Sequence, residues 1–243
     1  MKVDILAIGV HPDDVELSCA GTLLRHAELG YTFALLDLSR GELGTRGNAE
    51  IRTREAHAAA TKLGAKFREN LDLPDGFIQH DEATIKKIIV AIRDCQPRIV
   101  LANALGDRHP DHGRSAGIIA DACFYSGLSK IQTKNLEGVA QKKWRPEAVY
   151  HYIQDRNRKP DLVVDVTKQF SRKMEAISCY ESQFNDHNPN DYFHEESTPI
   201  SGKDFMDFLY AKARSLGRES GYELAEGFNV ARVPGVKNLF DLE

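Results

Sequence analysis

Across the first 125 residues, short apolar runs alternate with longer segments of helical periodicity, and few folds accept that order. Val3–Val10 (VDILAIGV) reads as a strand, and Leu17–Leu29 follows as a helix stopped by Gly30. Thr32–Leu38 is a second strand, and Ala49–Leu63 is an Ala-rich helix stopped by Gly64. Asp81–Asp94 carries Ile85, Ile88, Ile89 and Ile92 at helical spacing. Arg98–Ala102 (RIVLA) is a strand and Arg114–Tyr125 a helix. Strands that alternate with helices predict an α/β chain, a Rossmann-like three-layer fold with a mostly parallel sheet.

The second half is less regular. Ala148–Ile153 and Leu162–Val166 read as strands, Val166–Phe184 and Phe205–Leu216 as helices. Residues 185–202, NDHNPNDYFHEESTPISG, form a polar stretch long enough for a lid or an assembly contact. No repeat and no low-complexity linker divides the 243 residues, which predicts a single domain over 1–243.

In an open parallel sheet, ligands sit outside the carboxyl ends of the strands. Two polar clusters fall there. His11-Pro12-Asp13-Asp14 follows the first strand, and Asp107-Arg108-His109-Pro110-Asp111-His112 follows RIVLA. Both contain His-Pro-Asp and both precede a helix, so the fold can bring them together. His11, Asp14 and His112 would then offer two imidazoles and a carboxylate, a set that suits a catalytic zinc with one open position. The same set suits Fe(II). Proline holds the residue before it extended, which helps aim His11 and His109. Asp13 and Asp14 are adjacent and point to different places, so one can bind metal while the other acts as a base.

The first cluster has a plainer reading. Asp13 and Glu16 have capping-box spacing, and early acids favour a helix N-terminus. Two histidines and two aspartates within DRHPDH are not needed to cap anything. Between the clusters, SRGELGTRGN (39–48) places Gly41, Gly44 and Gly47 at every third residue. It matches neither G-x-G-x-x-G nor a Walker pattern. A flexible rim, with glycines admitting close backbone approach or positive φ, fits better than a nucleotide cradle. Arg52 and Glu55 have the spacing of a surface ion pair.

Composition narrows the partners. The net charge is −4 and no polybasic run appears, so the footprint of a nucleic-acid binder is missing. No apolar stretch reaches membrane-span length and no signal pattern opens the chain, which predicts no membrane partner and a cytoplasmic location. Cys19, Cys95, Cys123 and Cys179 form no CxxC pair and read as reduced, packed residues.

Taken together, these residues resemble the PIG-L/LmbE-like family of zinc-dependent N-deacetylases, from DILAIGVHPDDVE to YELAEGF at 222–228. The family's paired signatures stand here as His11–Asp14 and His109–His112. HPDDVELSCAGTLL, GELGTRGN, GDRHPDHGR and YESQF look like its bacillithiol-biosynthesis branch, whose members hydrolyse N-acetylglucosaminyl malate. The resemblance implies that His11, Asp14 and His112 bind zinc and that Asp13 is the general base. It also implies that His109, oriented by Asp111, supports the transition state as a cation. It places Arg52 and Arg145 near the substrate. Two carboxylates on malate suit arginine forks, so Arg46, Arg52, Arg108 and Arg145 are candidates for them. A homo-oligomer, trimer or hexamer, is implied as well.

Other residues read as structural. His57 is a surface or packing histidine, His187 and His194 are solvated, and Tyr180–Phe184 is a helix end packed near the site. Trp144 is an anchor, and His151 faces either pocket or core. Two other functions stay open. One is a broader N-acetylglucosamine-conjugate or chitooligosaccharide deacetylase. The other is a non-catalytic nucleotide binder that uses the glycine-rich loop.

Overall fold

β1 (Ile5–Gly9) is buried along its whole length because its side chains leave alternately toward two cores. The computed structural model describes residues 1–184 and 195–241. Leu6 and Ile8 pack with α3 (Glu82–Cys95) and α4 (Pro110–Tyr125). Ile5 and Ala7 pack with α1 (Asp14–Glu28) and α2 (Ala49–Leu63) on the other face. The three layers expected from the alternation are present.

Six further strands complete the sheet among the described residues: β2 (Phe33–Asp37), β3 (Arg68–Asn70), β4 (Ile99–Ala102), β5 (Ala148–Tyr152), β6 (Leu162–Asp165) and β7 (Ala225–Val230). Their order is β3-β2-β1-β4-β5-β7-β6. The first five run parallel, and β7 is antiparallel to both neighbours. From β1 the chain winds outward to β2 and then returns to β4 on the other side. The crevice between the carboxyl ends of β1 and β4 is therefore the topological switch point, where such sheets bind ligands.

Helix starts differ from expectation in a way that matters. α1 begins at Asp14, not Leu17, and α4 at Pro110, not Arg114. Both polar clusters thus run through the N-cap into the first turn of a helix. The helix expected over Val166–Phe184 is two: α5 (Phe170–Ile177) and α6 (Glu181–Phe184). Tyr180 breaks the run by burying its ring and donating its hydroxyl to Glu16. α7 (Lys203–Arg218) covers the expected span. β3 and β7 were not expected from periodicity, for one is three polar residues, Arg68–Asn70, and the other contains Glu226 and Gly227.

Glu226 also docks α1. Its carboxylate accepts the Gly21 and Thr22 amides at 3.0 and 2.7 Å and pairs with Lys173 at 2.7 Å. A Cβ on Gly21 would stand 2.8 Å from Val166 Cβ, so only glycine admits this approach. Of the polar stretch, 185–194 lies outside the described residues, and with it His187 and His194.

Candidate active site

Asp13 caps α1 with φ at 116°, a left-handed conformation that costs a non-glycine residue about 1–3 kcal/mol. Two bonds from Arg52 hold it: Nη2 donates to Pro12 O at 2.7 Å and to Asp13 Oδ2 at 2.9 Å. The Asp13 side chain makes no capping bond, and Glu16 turns away to Arg68 and Tyr180. The capping-box reading of HPDDVE is therefore wrong. The carboxylate that turns back to the backbone is Asp14, which accepts the Val10 and His11 amides at 2.9 and 3.1 Å. Asn103 and Gln154, just past β4 and β5, donate to the same carboxylate.

The two clusters meet. His11 Nδ1 lies 3.2 Å from His112 Nε2, which lies 3.2 Å from Asp14 Oδ1. The other Asp14 oxygen, Oδ2, lies 3.9 Å from His11 Nδ1. Ligand atoms at about 2.1 Å from a tetrahedral zinc stand about 3.4 Å apart, close to the two 3.2 Å spacings made by His112. The outward nitrogens are held by carboxylates: His11 Nε2 by Asp75 at 2.8 Å and His112 Nδ1 by Asp107 at 2.7 Å. This is the usual outer partnership of metal-binding histidines, and it turns both inner lone pairs toward Asp14. Burial opposes a charged His112, but Asp14 and Asp107 outweigh it and push its pKa up to about 10. Burial likewise raises Asp14, and His112 and His11 hold it far below the carboxylate range. His109 with His11 and His112, and Asp75 and Asp111 with His11, also lie within ligand reach of one another. The first set leaves out the best-held carboxylate, and in the second Asp111 pairs with Arg114.

Asp13 faces the same point with different chemistry. Burial pushes its carboxyl up to about 7, against the opposing charge of Arg52 and with the help of Asp14. Its Oδ2 is taken by Arg52, and Oδ1 has no hydrogen bond among the described residues. His109 caps α4, with Pro110 at the first helical position. Its Nδ1 accepts the Asp111 backbone amide at 3.3 Å, which leaves the proton on Nε2. The expected orientation by the Asp111 carboxylate is not found, because that group pairs with Arg114. Burial, then His11 and His112, lower the His109 pKa, so a standing cation there is disfavoured.

Around these groups lies a cavity of about 350 Å³, within the range of small-molecule sites. Leu43–Arg46 form one wall, and Thr198–Ile200 with α7 form another. The glycine-rich loop is a rim, not a phosphate cradle. Gly41 has φ at 67°, and a Cβ there would meet Arg52 Nη1 at 1.9 Å, so the arginine fills the space a phosphate would need. Arg52 is buried against Asp13 and is not the partner of Glu55, which accepts from Ser182 at 2.7 Å instead. Arg108 lines the cavity and pairs with Asp155 at 3.3 Å. Arg145 does not line it. It bonds Phe124 O at 2.9 Å, at the end of α4 opposite His109. That is about 24 Å away along a 16-residue helix. Trp144, bonded to Pro97 O at 2.7 Å, pins it there.

His151 is buried and bonds Asn103 O, which makes it a core residue. His57 is exposed, and Gln183 of YESQF reaches the cavity. The sequence reading placed Asp107 in the second polar cluster without a role of its own, and it did not reveal Asp75, Asn103 and Gln154 as site residues. Asn103 and Gln154 stand just after strand ends, a position that could have marked them; Asp75, in LPDG, looks like an ordinary turn.

Residues 6–123 match the sequence profile of PIG-L, described as GlcNAc-PI de-N-acetylase. The diacetylchitobiose deacetylase of Thermococcus kodakarensis is 26% identical over 96% of this chain and 84% of its own length. The 4-oxalmesaconate hydratase of Pseudomonas putida is 28% identical over 73% of each chain. A probable N-acetyl-α-D-glucosaminyl L-malate deacetylase 2 of Bacillus cereus is 25% identical over 75% of this chain and 84% of its own. Among solved structures, the conserved protein TT1542 of Thermus thermophilus superposes with a TM-score of 0.83 at 30% identity, covering 96% of this chain and 97% of that one.

Proposed function

We propose that the chain is a deacetylase of the PIG-L type, whose profile matches residues 6–123, and that it removes the acetyl group of N-acetylglucosaminyl malate in bacillithiol biosynthesis. The observation that carries the chemistry is the convergence of His11 Nδ1, Asp14 and His112 Nε2 beside the carboxylate of Asp13. The branch is supported by where its motifs fall: Leu43–Arg46 of GELGTRGN, Arg108 of GDRHPDHGR and Gln183 of YESQF all line one cavity.

In this reading His11, Asp14 and His112 hold zinc, with Fe(II) accepted by the same donors. A zinc held there would supply Lewis acidity, polarising an acetyl carbonyl and bringing the pKa of a water to about 7. Asp13, fixed by Arg52, receives the proton of the attacking water at Oδ1. His109 donates its Nε2 proton as a hydrogen bond to the oxyanion, as a neutral imidazole; preformed donors of this kind are often the largest catalytic contribution. Asp111, pairing with Arg114, anchors the first turn of α4 that aims His109. The amine leaves as the proton on Asp13 returns to it. We extend the proposal to a cytoplasmic homo-oligomer, trimer or hexamer. No helix among the described residues is long and apolar enough to cross a membrane.

Acetate release from N-acetylglucosaminyl malate, N-acetylglucosaminyl inositol and diacetylchitobiose tests the substrate. The malate conjugate is expected to lead in kcat/KM by at least about tenfold, or 1.4 kcal/mol. A lead for diacetylchitobiose would replace this reading with the chitooligosaccharide one, which the Thermococcus relative's coverage favours.

A further inference from the structure

Arginines are the expected anion-binding groups of the cavity, and the structure leaves few of them for that task. Arg52 spends its guanidinium on Pro12 O, Gly41 O and Asp13, and Arg46, also in the wall, donates its Nε to Ser182 O at 2.9 Å. Arg145 lies at the far end of α4, and Arg108 pairs with Asp155. A different cation stands in the cavity wall. Lys212, on α7, lines the cavity beside Phe208 and Leu209. Its Nζ is buried and has no hydrogen-bond partner among the described residues.

A buried ammonium without a partner is strongly unfavourable, and proteins keep one where something else supplies the counter-charge. The Phe208 ring, 5.6 Å from Nζ, gives only a weak cation–π contact. The acids whose charge reaches Lys212 are Asp107 and Asp155. Both are committed: Asp107 to His112 and the Arg156 amide, Asp155 to Arg108. Burial accordingly lowers the Lys212 pKa to about 8. Thr198 Oγ1, which lines the same cavity, is also buried without a partner among the described residues. Two unsatisfied polar groups thus line the cavity that His11, Asp13, Asp14, His109 and His112 also line.

We infer that Lys212, in a cavity that Thr198 also lines, is the anion-recognising residue of the cavity and takes a carboxylate carried by the group attached to the amino sugar. This rests on the acetylglucosaminyl-conjugate reading above and names the residue that selects among such conjugates. Lys212 touches none of the reacting groups, so it acts on binding and leaves the chemical step alone.

Titration calorimetry on the zinc-loaded protein tests it, with the products glucosaminyl malate and methyl glucosaminide as ligands so that nothing is hydrolysed. Wild type is expected to bind the malate product at least tenfold more tightly. Lys212→Met, which keeps the apolar stem, should lose that preference while its affinity for methyl glucosaminide stays within twofold. Lys212→Arg should recover most of it. Unchanged affinity for the malate product in Lys212→Met, or an equal loss for both ligands, overturns the inference. If wild type binds both products alike, the substrate reading fails by itself. Free malate then decides Lys212: competition seen in wild type and lost in Lys212→Met sustains it, and no competition in wild type overturns it.

Discussion

Asp13 and Asp14 are neighbours in sequence and opposites in setting. Asp14 is gripped by two backbone amides, Asn103 and Gln154, whereas Asp13 answers only to Arg52 and sits on a strained backbone. Asp13→Asn keeps the shape and the proposed metal donors but loses the proposed proton acceptor, so kcat should fall by about 10²–10⁴-fold with metal content unchanged. Elemental analysis beside steady-state kinetics checks both halves. Asp107→Asn weakens the carboxylate behind His112 and should lower metal affinity by about 10–100-fold, read by competition with a chelator. The residues that carry unusual chemistry, His11 to Asp14 and Asp107 to His112, were legible because such acid density has few structural uses. The pairing of Asp111 with Arg114 was not, since no spacing rule says which of two nearby groups a carboxylate will choose. Lys212 was hidden for a similar reason: a lysine on an amphipathic helix normally points to water.

At the scale of elements, one buried network ties α1 to the sheet and α6. Arg68 of β3 makes two bonds to Asp37, at 2.6 and 2.8 Å, and reaches Glu16, which also accepts the Tyr180 hydroxyl. Glu16 is fully buried, so removing the guanidinium strands two carboxylates in the interior. Arg68→Met should destabilise the fold by about 3–5 kcal/mol, measured by urea unfolding. Strands and helices with plain periodicity were readable. β3 was not, because three residues carry no period, and its place at the sheet edge comes from pairing with β2. The break between α5 and α6 was missed because helical spacing continues through Tyr180, whose burial beside Glu16 is set by tertiary contact.

For the whole molecule, topology brings together what sequence separates. β1 and β4 are adjacent in the sheet, so helices starting after each deliver their first turns to one crevice. That much followed from alternation and from where ligands sit in open sheets. The antiparallel β7, wedged between β5 and β6, did not, because its pairing partners lie some 60 to 80 residues away in the chain. The hydrophobic cores on both faces of the sheet involve none of the proposed metal donors. Metal should therefore control activity without being needed for the fold.

The most direct test compares N-acetylglucosaminyl malate hydrolysis by protein as purified, after chelation, and after zinc is restored, with circular dichroism on each sample. Turnover should vanish on chelation, return with one zinc per chain, and leave the dichroism unchanged throughout. Undiminished acetate release from the fully chelated protein would contradict the assignment of His11, Asp14 and His112 as a catalytic metal site.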